Sequence, residues 1–233
     1  MKSLAIIPAR GGSKRIPRKN IRLFIEKPVI AYSIEAALKS DIFDEVMVST
    51  DDDEIAEMAK KYGAKVPFIR SELNSCDYAT TKDVIFEVLD CYKSINIVFD
   101  IVCCIYSTAP FVTSERLIEA HQMINNNTCD SVFPIVAFSY PIQRGLEIKQ
   151  GKVKMVWSEY KNSRSQDLQT IYHDAGQFYF STIDSFIKNK GFWGEDTNGL
   201  ILSELEVQDL DTETDWKLAE MKYKLLLNEK NSV

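Results

Sequence analysis

Residues 4–20 read LAIIPARGGSKRIPRKN. The apolar run Leu4 to Ile7 has the length of a buried strand, and it breaks at Pro8 into a segment that sets Gly11 and Gly12 among Arg10, Lys14, Arg15, Arg18 and Lys19. This predicts a strand feeding a basic loop. Adjacent glycines remove side chains where a backbone must approach a ligand, and their N–H groups can face oxyanions. The whole chain carries a formal net charge of −6, so the loop is a local reversal of sign. Such a reversal points to a bound anion, with phosphate the expected chemistry. Two familiar phosphate loops are excluded by spacing, because neither G-x-x-x-x-G-K-[ST] nor G-x-G-x-x-G occurs here.

Outward from this loop, Pro28 to Leu38 has apolar residues at helical spacing, and Glu45 to Ser49 reads as a second strand. Asp51, Asp52 and Asp53 follow. They read as the capped start of a helix ending at Gly63, with metal binding as the alternative. Val66 to Ile69 predicts a third strand, Lys82 to Tyr92 a helix, and Ile97 to Tyr106 a central strand buried on both faces. A helix over Thr113 to Asn125 and a strand over Ser131 to Val136 come next. The alternation of strand and helix predicts an α/β fold, a three-layer Rossmann-like arrangement with a mostly parallel sheet, ligands lying beyond the carboxyl ends of the strands. From about residue 137 to 170 the pattern changes to short alternating pieces separated by Gly145 and Gly151, which predicts an inserted β-arm. Exposed Trp157 and Tyr160 on that arm would need a partner surface, making it a candidate dimerisation element. Gly176 to Ser181 and Ile201 to Val207 read as further strands, and Thr212 to Asn228 as a terminal helix capped by Thr212.

At 233 residues, with 45% hydrophobic and 27% charged residues, the chain is expected to form one globular domain spanning 1–233. No apolar run approaches the roughly 20 residues a membrane span needs, and no leader is visible. The cysteines are Cys76, Cys91, Cys103, Cys104 and Cys129, without a C-x-x-C pair, which suits reduced thiols in a cytoplasm. The acidic balance argues against nucleic acid as a partner.

Near the carboxyl end stands QDLDTETD, residues 208–215. At a strand end, residues two apart project to one side, so Asp209 and Asp211 can share a cation; a capping or solvent-facing role is the alternative. Hard carboxylate oxygens suit Mg²⁺, which completes its octahedron with water and phosphate. Arg164 could meet a substrate carboxylate in fork geometry, or belong simply to a flexible arm. His173, beside Asp174, is either bonded to backbone or a sugar contact.

The run from Pro8 to Asn20 resembles the signature loop of the cytidylyltransferases that activate nonulosonic acids, the sialic acid synthetase group. The D-x-D-T-E-x-D pattern at residues 209–215 is similar to that family too, as is Arg70 to Asp77 with Thr81 after it. The resemblance implies that Arg70 and Thr81 line a nucleotide pocket, with helix capping by Asp77 the alternative reading of that loop. It implies that Ala9, Gly11, Gly12, Ser13 and Asn20 shape the loop and meet CTP. It also implies that Arg10, Lys14 and Lys19 hold the triphosphate, that Asp209 and Asp211 bind Mg²⁺, and that Arg10, Lys19 and Asp211 are catalytic. A dimer built through the arm follows from it as well. Two segments depart from the commoner sialic acid pattern: Tyr106-Ser107-Thr108-Ala109-Pro110 and Tyr172 to Tyr179. Both resemble the branch that activates pseudaminic acid, which places Tyr106, Thr108, His173, Asp174 and Gln177 on the expected sugar side.

The expected reaction is transfer of CMP from CTP to the anomeric hydroxyl of a nonulosonic acid. N-acetylneuraminate, legionaminate or KDO are the alternative sugars. Two other classes remain open at this point: a metal-dependent glycosyltransferase, which also uses D-x-D, and a non-catalytic nucleotide-binding module.

Overall fold

A computed structural model of the chain describes residues 1–126 and 128–230. The elements, in order, are β1 (Ser3–Pro8), β2 (Leu23–Phe24), β3 (Lys27–Pro28), α1 (Val29–Ser40), β4 (Glu45–Ser49), α2 (Asp53–Lys61), α3 (Glu72–Ser75), α4 (Thr81–Ser94), β5 (Ile101–Ile105), α5 (Ser114–Asn125) and β6 (Ser131–Ala137). Then follow β7 (Leu146–Lys149), β8 (Lys152–Met155), β9 (Tyr172–Asp174), β10 (Phe178–Thr182), α6 (Ile183–Asn189), β11 (Thr197–Leu202) and α7 (Glu213–Lys230).

The main sheet has the order β11-β6-β10-β5-β1-β4, with β9 also paired to β6. Strands β4, β1, β5, β6 and β11 run in one direction, and β9 and β10 run against them. The mostly parallel α/β expectation therefore holds, with Phe178–Thr182 as a reversed strand inside the sheet. Strand β1 explains why. Its alternate side chains serve two cores: Ala5 and Ile7 pack under α1, α2 and α5, while Leu4 and Ile6 pack with Ile85 and Val88 of α4 and Phe186 of α6. A strand buried on both faces needs an unbroken apolar run, and LAII supplies it. Cys103 and Cys104 of β5 divide between the same two cores, both fully buried, and burial pushes both thiols upward in pKa.

Three predicted strands are corrected. Residues 66–69 form no strand: Pro67 has no N–H to donate, and pairing is confined to isolated bridges at the two ends, Lys65 with Met47 of β4 and Ile69 with Thr50 just beyond it. The strand expected from Ile97 begins at Ile101, because Ile97 and Val98 lie exposed in the turn after α4, where Ile97 N donates to the Tyr92 carbonyl. The strand expected over Ile201 to Val207 is Thr197–Leu202 instead, and Ser203 caps a 3₁₀ turn at Glu204–Glu206.

Local signals explain the other boundaries. The Asp52 carboxylate accepts from Ile55 N and caps α2, while Thr80 and Asp83 form a capping box at α4. Thr212 and Asp215 exchange equivalent bonds at α7. The arm contains the hairpin β7–β8, closed by Gln150 and Gly151, both at positive φ as a two-residue turn of this hand requires. Its Leu146, Ile148, Val153 and Trp157 are exposed. Among the described residues, no helix is long and apolar enough to cross a membrane.

Candidate active site

The segments that follow β1, β4 and β5 meet at the carboxyl end of the sheet. Ala9 N donates to the Ser49 carbonyl at 2.9 Å, Gly11 N to Asp51 Oδ1 at 3.0 Å, and Asn20 Nδ2 to the Arg10 carbonyl at 2.9 Å. Ser107 Oγ, just beyond β5, donates to Asn20 Oδ1 at 2.9 Å. Buried Asn20 thus ties the basic loop to the segment after the central strand.

Between these segments and residues 70–84 lies a cavity of about 500 Å³. Arg10, Ser13, Lys14, Lys19 and Asn20 wall one side, Arg70 and Thr81 another, and Tyr106 and Thr108 also border it. Arg70 is buried, donating Nε to Ser49 Oγ at 3.0 Å and Nη2 to the Ser49 carbonyl. Among the described residues no carboxylate stands within ion-pair distance of it, and burial lowers its pKa. A buried guanidinium with spare donors on a cavity wall is a site for an anionic or carbonyl oxygen.

The other cations are all matched by carboxylates. Arg10 Nη1 donates to Asp77 Oδ1 at 2.9 Å, and Lys14 Nζ donates to the other oxygen of Asp77. These bonds, with Lys14 foremost, hold the Asp77 carboxyl below its ordinary pKa. Arg15 Nη1 donates to Asp211 Oδ2 at 2.7 Å, while Lys19 Nζ lies 3.5 Å from Asp211 Oδ1 and donates to the Leu210 carbonyl at 2.7 Å. Arg18 grips Asp52 with both terminal nitrogens and also reaches Glu54. Its bond keeps Asp52 ionised well into acid, so Arg18 fastens the loop to α2 rather than facing the cavity.

Several expectations change. The Gly11 amide, expected to face an oxyanion, is taken by Asp51, and a Cβ at Gly11 would stand 2.7 Å from Asp52 Oδ2; nothing lies within 4 Å of one at Gly12. Asp77 caps no helix; Thr80 does, leaving Asp77 to the loop cations. Asp209 and Asp211 do not sit at a strand end. They flank fully buried Leu210 in the segment before α7, and their carboxylates have separate partners: Asp209 Oδ1 accepts from Leu210 N, while Asp211 turns to the basic loop.

The sugar-side candidates other than Tyr106 and Thr108 lie off the cavity wall. Arg164 forks onto Asp167 within its own turn, at 2.7 and 3.0 Å. His173 is exposed, with Nδ1 2.8 Å from the Asp174 carbonyl, and its ring packs on Phe138. Buried Gln177 donates to the Glu206 carbonyl. Asp174 accepts from Gly176 N and from the Tyr179 hydroxyl at 2.7 Å. The Tyr179 ring is 5.4 Å from that of Tyr106, and the Tyr106 hydroxyl contacts both Tyr179 and Thr81. Asp174 therefore stands behind Tyr106, supporting it. Ser107 and Tyr179 are additions without an assigned role in the sequence, and Asp51, read there as a cap or metal ligand, holds the Gly11 amide instead while Asp52 caps α2. Only Ser107, beside Tyr106 and Thr108, carried a positional hint.

A cationic loop at the switch of a doubly wound sheet, facing a buried guanidinium across a cavity, defines a nucleotide-binding α/β enzyme. Comparison with known proteins narrows the class. The family model described as "Cytidylyltransferase" matches residues 4–218, and the chain belongs to the cytidylyltransferase family. It is thus a CTP-dependent nucleotidyltransferase. It is 45% identical over 226 residues, 97% of each chain, to the pseudaminic acid cytidylyltransferase of Campylobacter jejuni serotype O:2. It is 38% identical to the CMP-N,N'-diacetyllegionaminic acid synthase of Legionella pneumophila, covering 94% of this chain and 95% of the other. Among solved structures, a CMP:2-keto-3-deoxy-manno-octonic acid synthetase complexed with CTP superposes with a TM-score of 0.69 over 98% of this chain and 100% of its own, at 17% identity, a likeness of fold.

Proposed function

We propose that this protein transfers CMP from CTP to pseudaminic acid, the anomeric hydroxyl attacking the α-phosphorus as the bond to the β-phosphate breaks and pyrophosphate leaves. The observation that carries the reading is the cavity itself: Arg10, Lys14 and Lys19 stand on one wall and Arg70 and Thr81 on another, with Tyr106 and Thr108 bordering it. Phosphoryl-group transfer needs positioning and charge neutralisation more than covalent help from the protein. Lys14 and Arg10 would take the β- and γ-phosphates, with Lys19 beside the leaving pyrophosphate. Arg70 and Thr81 would face the nucleoside, and Tyr106 the sugar.

Asp209 and Asp211 would hold Mg²⁺. Among the described residues no group of three acidic, histidine or cysteine side chains is placed for a metal, yet Mg²⁺ commonly takes only one or two carboxylates and completes its shell with water and phosphate. The donor set fits on those terms, provided Asp211 exchanges Arg15 for the ion. The ion would neutralise phosphate charge and lower the hydroxyl's pKa. The exposed apolar face of β7–β8 supports a homodimer closed through the arm. Reduced cysteines and a nucleotide substrate suit the cytoplasm.

The sugar is tested by pyrophosphate release from CTP with pseudaminic, N,N'-diacetyllegionaminic and N-acetylneuraminic acids in turn. Preference for pseudaminic acid supports the proposal, and preference for either other sugar overturns the substrate assignment.

A further inference from the structure

We infer that Asp77 is an internal anion standing in the place of the nucleotide's phosphates, so that it weakens triphosphate and pyrophosphate binding and drives product release. The inference rests on the reading of this cavity as the CTP site. Asp77 bonds to Arg10 and to Lys14, two of the four loop cations on the cavity wall, the others being Arg15 and Lys19, and Arg10 Nη1 also reaches the Cys76 carbonyl at 3.3 Å.

Nothing in the fold requires an acid at this position. Thr80 and Asp83 cap α4, and the Asp77 side chain remains 43% exposed. The contrast is with Arg18 and Asp52, a bidentate pair in which the carboxylate also caps α2. Exposed pairs of the first kind contribute little to folding, yet two of them together meet the charge an incoming phosphate must meet. A carboxylate at hydrogen-bond distance from both cations repels a polyanion that approaches them, so it has to withdraw as the phosphates enter. After transfer, pyrophosphate departs as Asp77 pairs again with Arg10 and Lys14. Because Asp77 lies in the loop between Arg70 and Thr81, its withdrawal also links filling of the phosphate side to the residues on the opposite wall.

The test is isothermal titration of inorganic pyrophosphate, CTP and cytidine, with Mg²⁺ present, into the wild-type protein, Asp77→Asn and Asp77→Ala. Pyrophosphate and CTP are expected to bind about three- to tenfold more tightly to both variants, cytidine to bind unchanged, and pyrophosphate to become a stronger product inhibitor. Unchanged or weaker pyrophosphate binding in variants of unaltered Tm would overturn the inference, because Asp77 would then be positioning Arg10 and Lys14 for the ligand. Equal tightening of cytidine would overturn it too, since the effect would not be on phosphate. Wild-type protein that binds neither CTP nor pyrophosphate would refute the reading of the cavity itself, and this inference with it.

Discussion

Asn20 accepts a hydrogen bond from the Ser107 hydroxyl at 2.9 Å, with both side chains buried, across a sequence separation of 87 residues. The same amide donates to the Arg10 carbonyl, so one side chain aligns the basic loop with the segment beyond β5. Asn20→Ala leaves the buried Ser107 hydroxyl and the part-buried Arg10 carbonyl unmet, which costs about 1–3 kcal/mol. Thermal unfolding should show that loss, and the KM for CTP should rise with it because Arg10 is no longer held in register.

The paired glycines separate into different roles. Gly11→Ala forces a methyl group against Asp52, which already caps α2 and grips Arg18, whereas Gly12→Ala meets open space. Gly11→Ala should lower Tm, and Gly12→Ala should leave Tm unchanged. A raised KM for CTP in folded Gly12→Ala protein would identify Gly12 as the point where backbone approaches the ligand.

Lys19 and Asp211 join the first loop to the last across 192 residues of sequence. Lys19→Met removes a cation from the cavity wall and should lower kcat/KM for CTP by about 100-fold, the size typical of losing one preorganised charge-stabilising donor. Asp211→Asn should raise the Mg²⁺ concentration needed for half-maximal pyrophosphate release. An unshifted Mg²⁺ dependence would exclude Asp211 as a metal ligand.

Stability below neutral pH should be governed in part by His121. The ring is buried between Ser3 and Asn125; the Asn125 amide donates to Nδ1 at 3.1 Å, so Nε2 carries the hydrogen and donates to Ser3 Oγ at 3.0 Å. Burial, with help from the positive amino terminus, lowers its pKa from 6.5. The unfolded chain then binds more protons below about pH 6.5, and stability should fall as pH drops through that value towards the folded pKa. His121→Gln should be less stable at pH 7.5, by about 1 kcal/mol, yet flatter between pH 7 and pH 5 in urea unfolding.

Asp52 sets a second, more acidic limit. Its carboxyl is held below the ordinary value by Arg18 first, and by amides of the α2 cap. The stability it contributes is present above the unfolded pKa, near 3.9, and lost as pH falls through the lower folded value. Asp52→Ala should cost about 1 kcal/mol at neutral pH through the lost cap, and the difference from wild type should shrink below pH 4.

Much of this could be read from local chemistry. Leu4 to Ile7 announced a buried strand, the acidic run at 51–53 a capped helix, and Gly151 a hairpin turn, because each signal is contained within a few residues. The boundaries that failed depended on distant partners. The apolar run from Ile97 outlasts its strand because the sheet starts only where Ile101 meets Lys2 across the chain. The aspartates at 209 and 211 looked like a strand end because alternation was visible, while burial of Leu210 beneath α7 was not. At the site, the basic loop was legible as charge, but its neutralisation by Asp52, Asp77 and Asp211 arises from folding alone. His173 and Arg164 drew attention as rare or forked side chains; their neighbours are Phe138 and Asp167, and no local pattern revealed that.

The proposed function requires CTP to bind in the cavity between the basic loop and residues 70–84. The direct measurement is a crystal structure of the protein with CTP. The triphosphate is expected against Arg10, Lys14 and Lys19, with the cytosine towards Arg70 and Thr81. A nucleotide seated instead in the comparably sized cavity between α1, α5 and α7, lined by Tyr32, Phe111 and Tyr223, would contradict it.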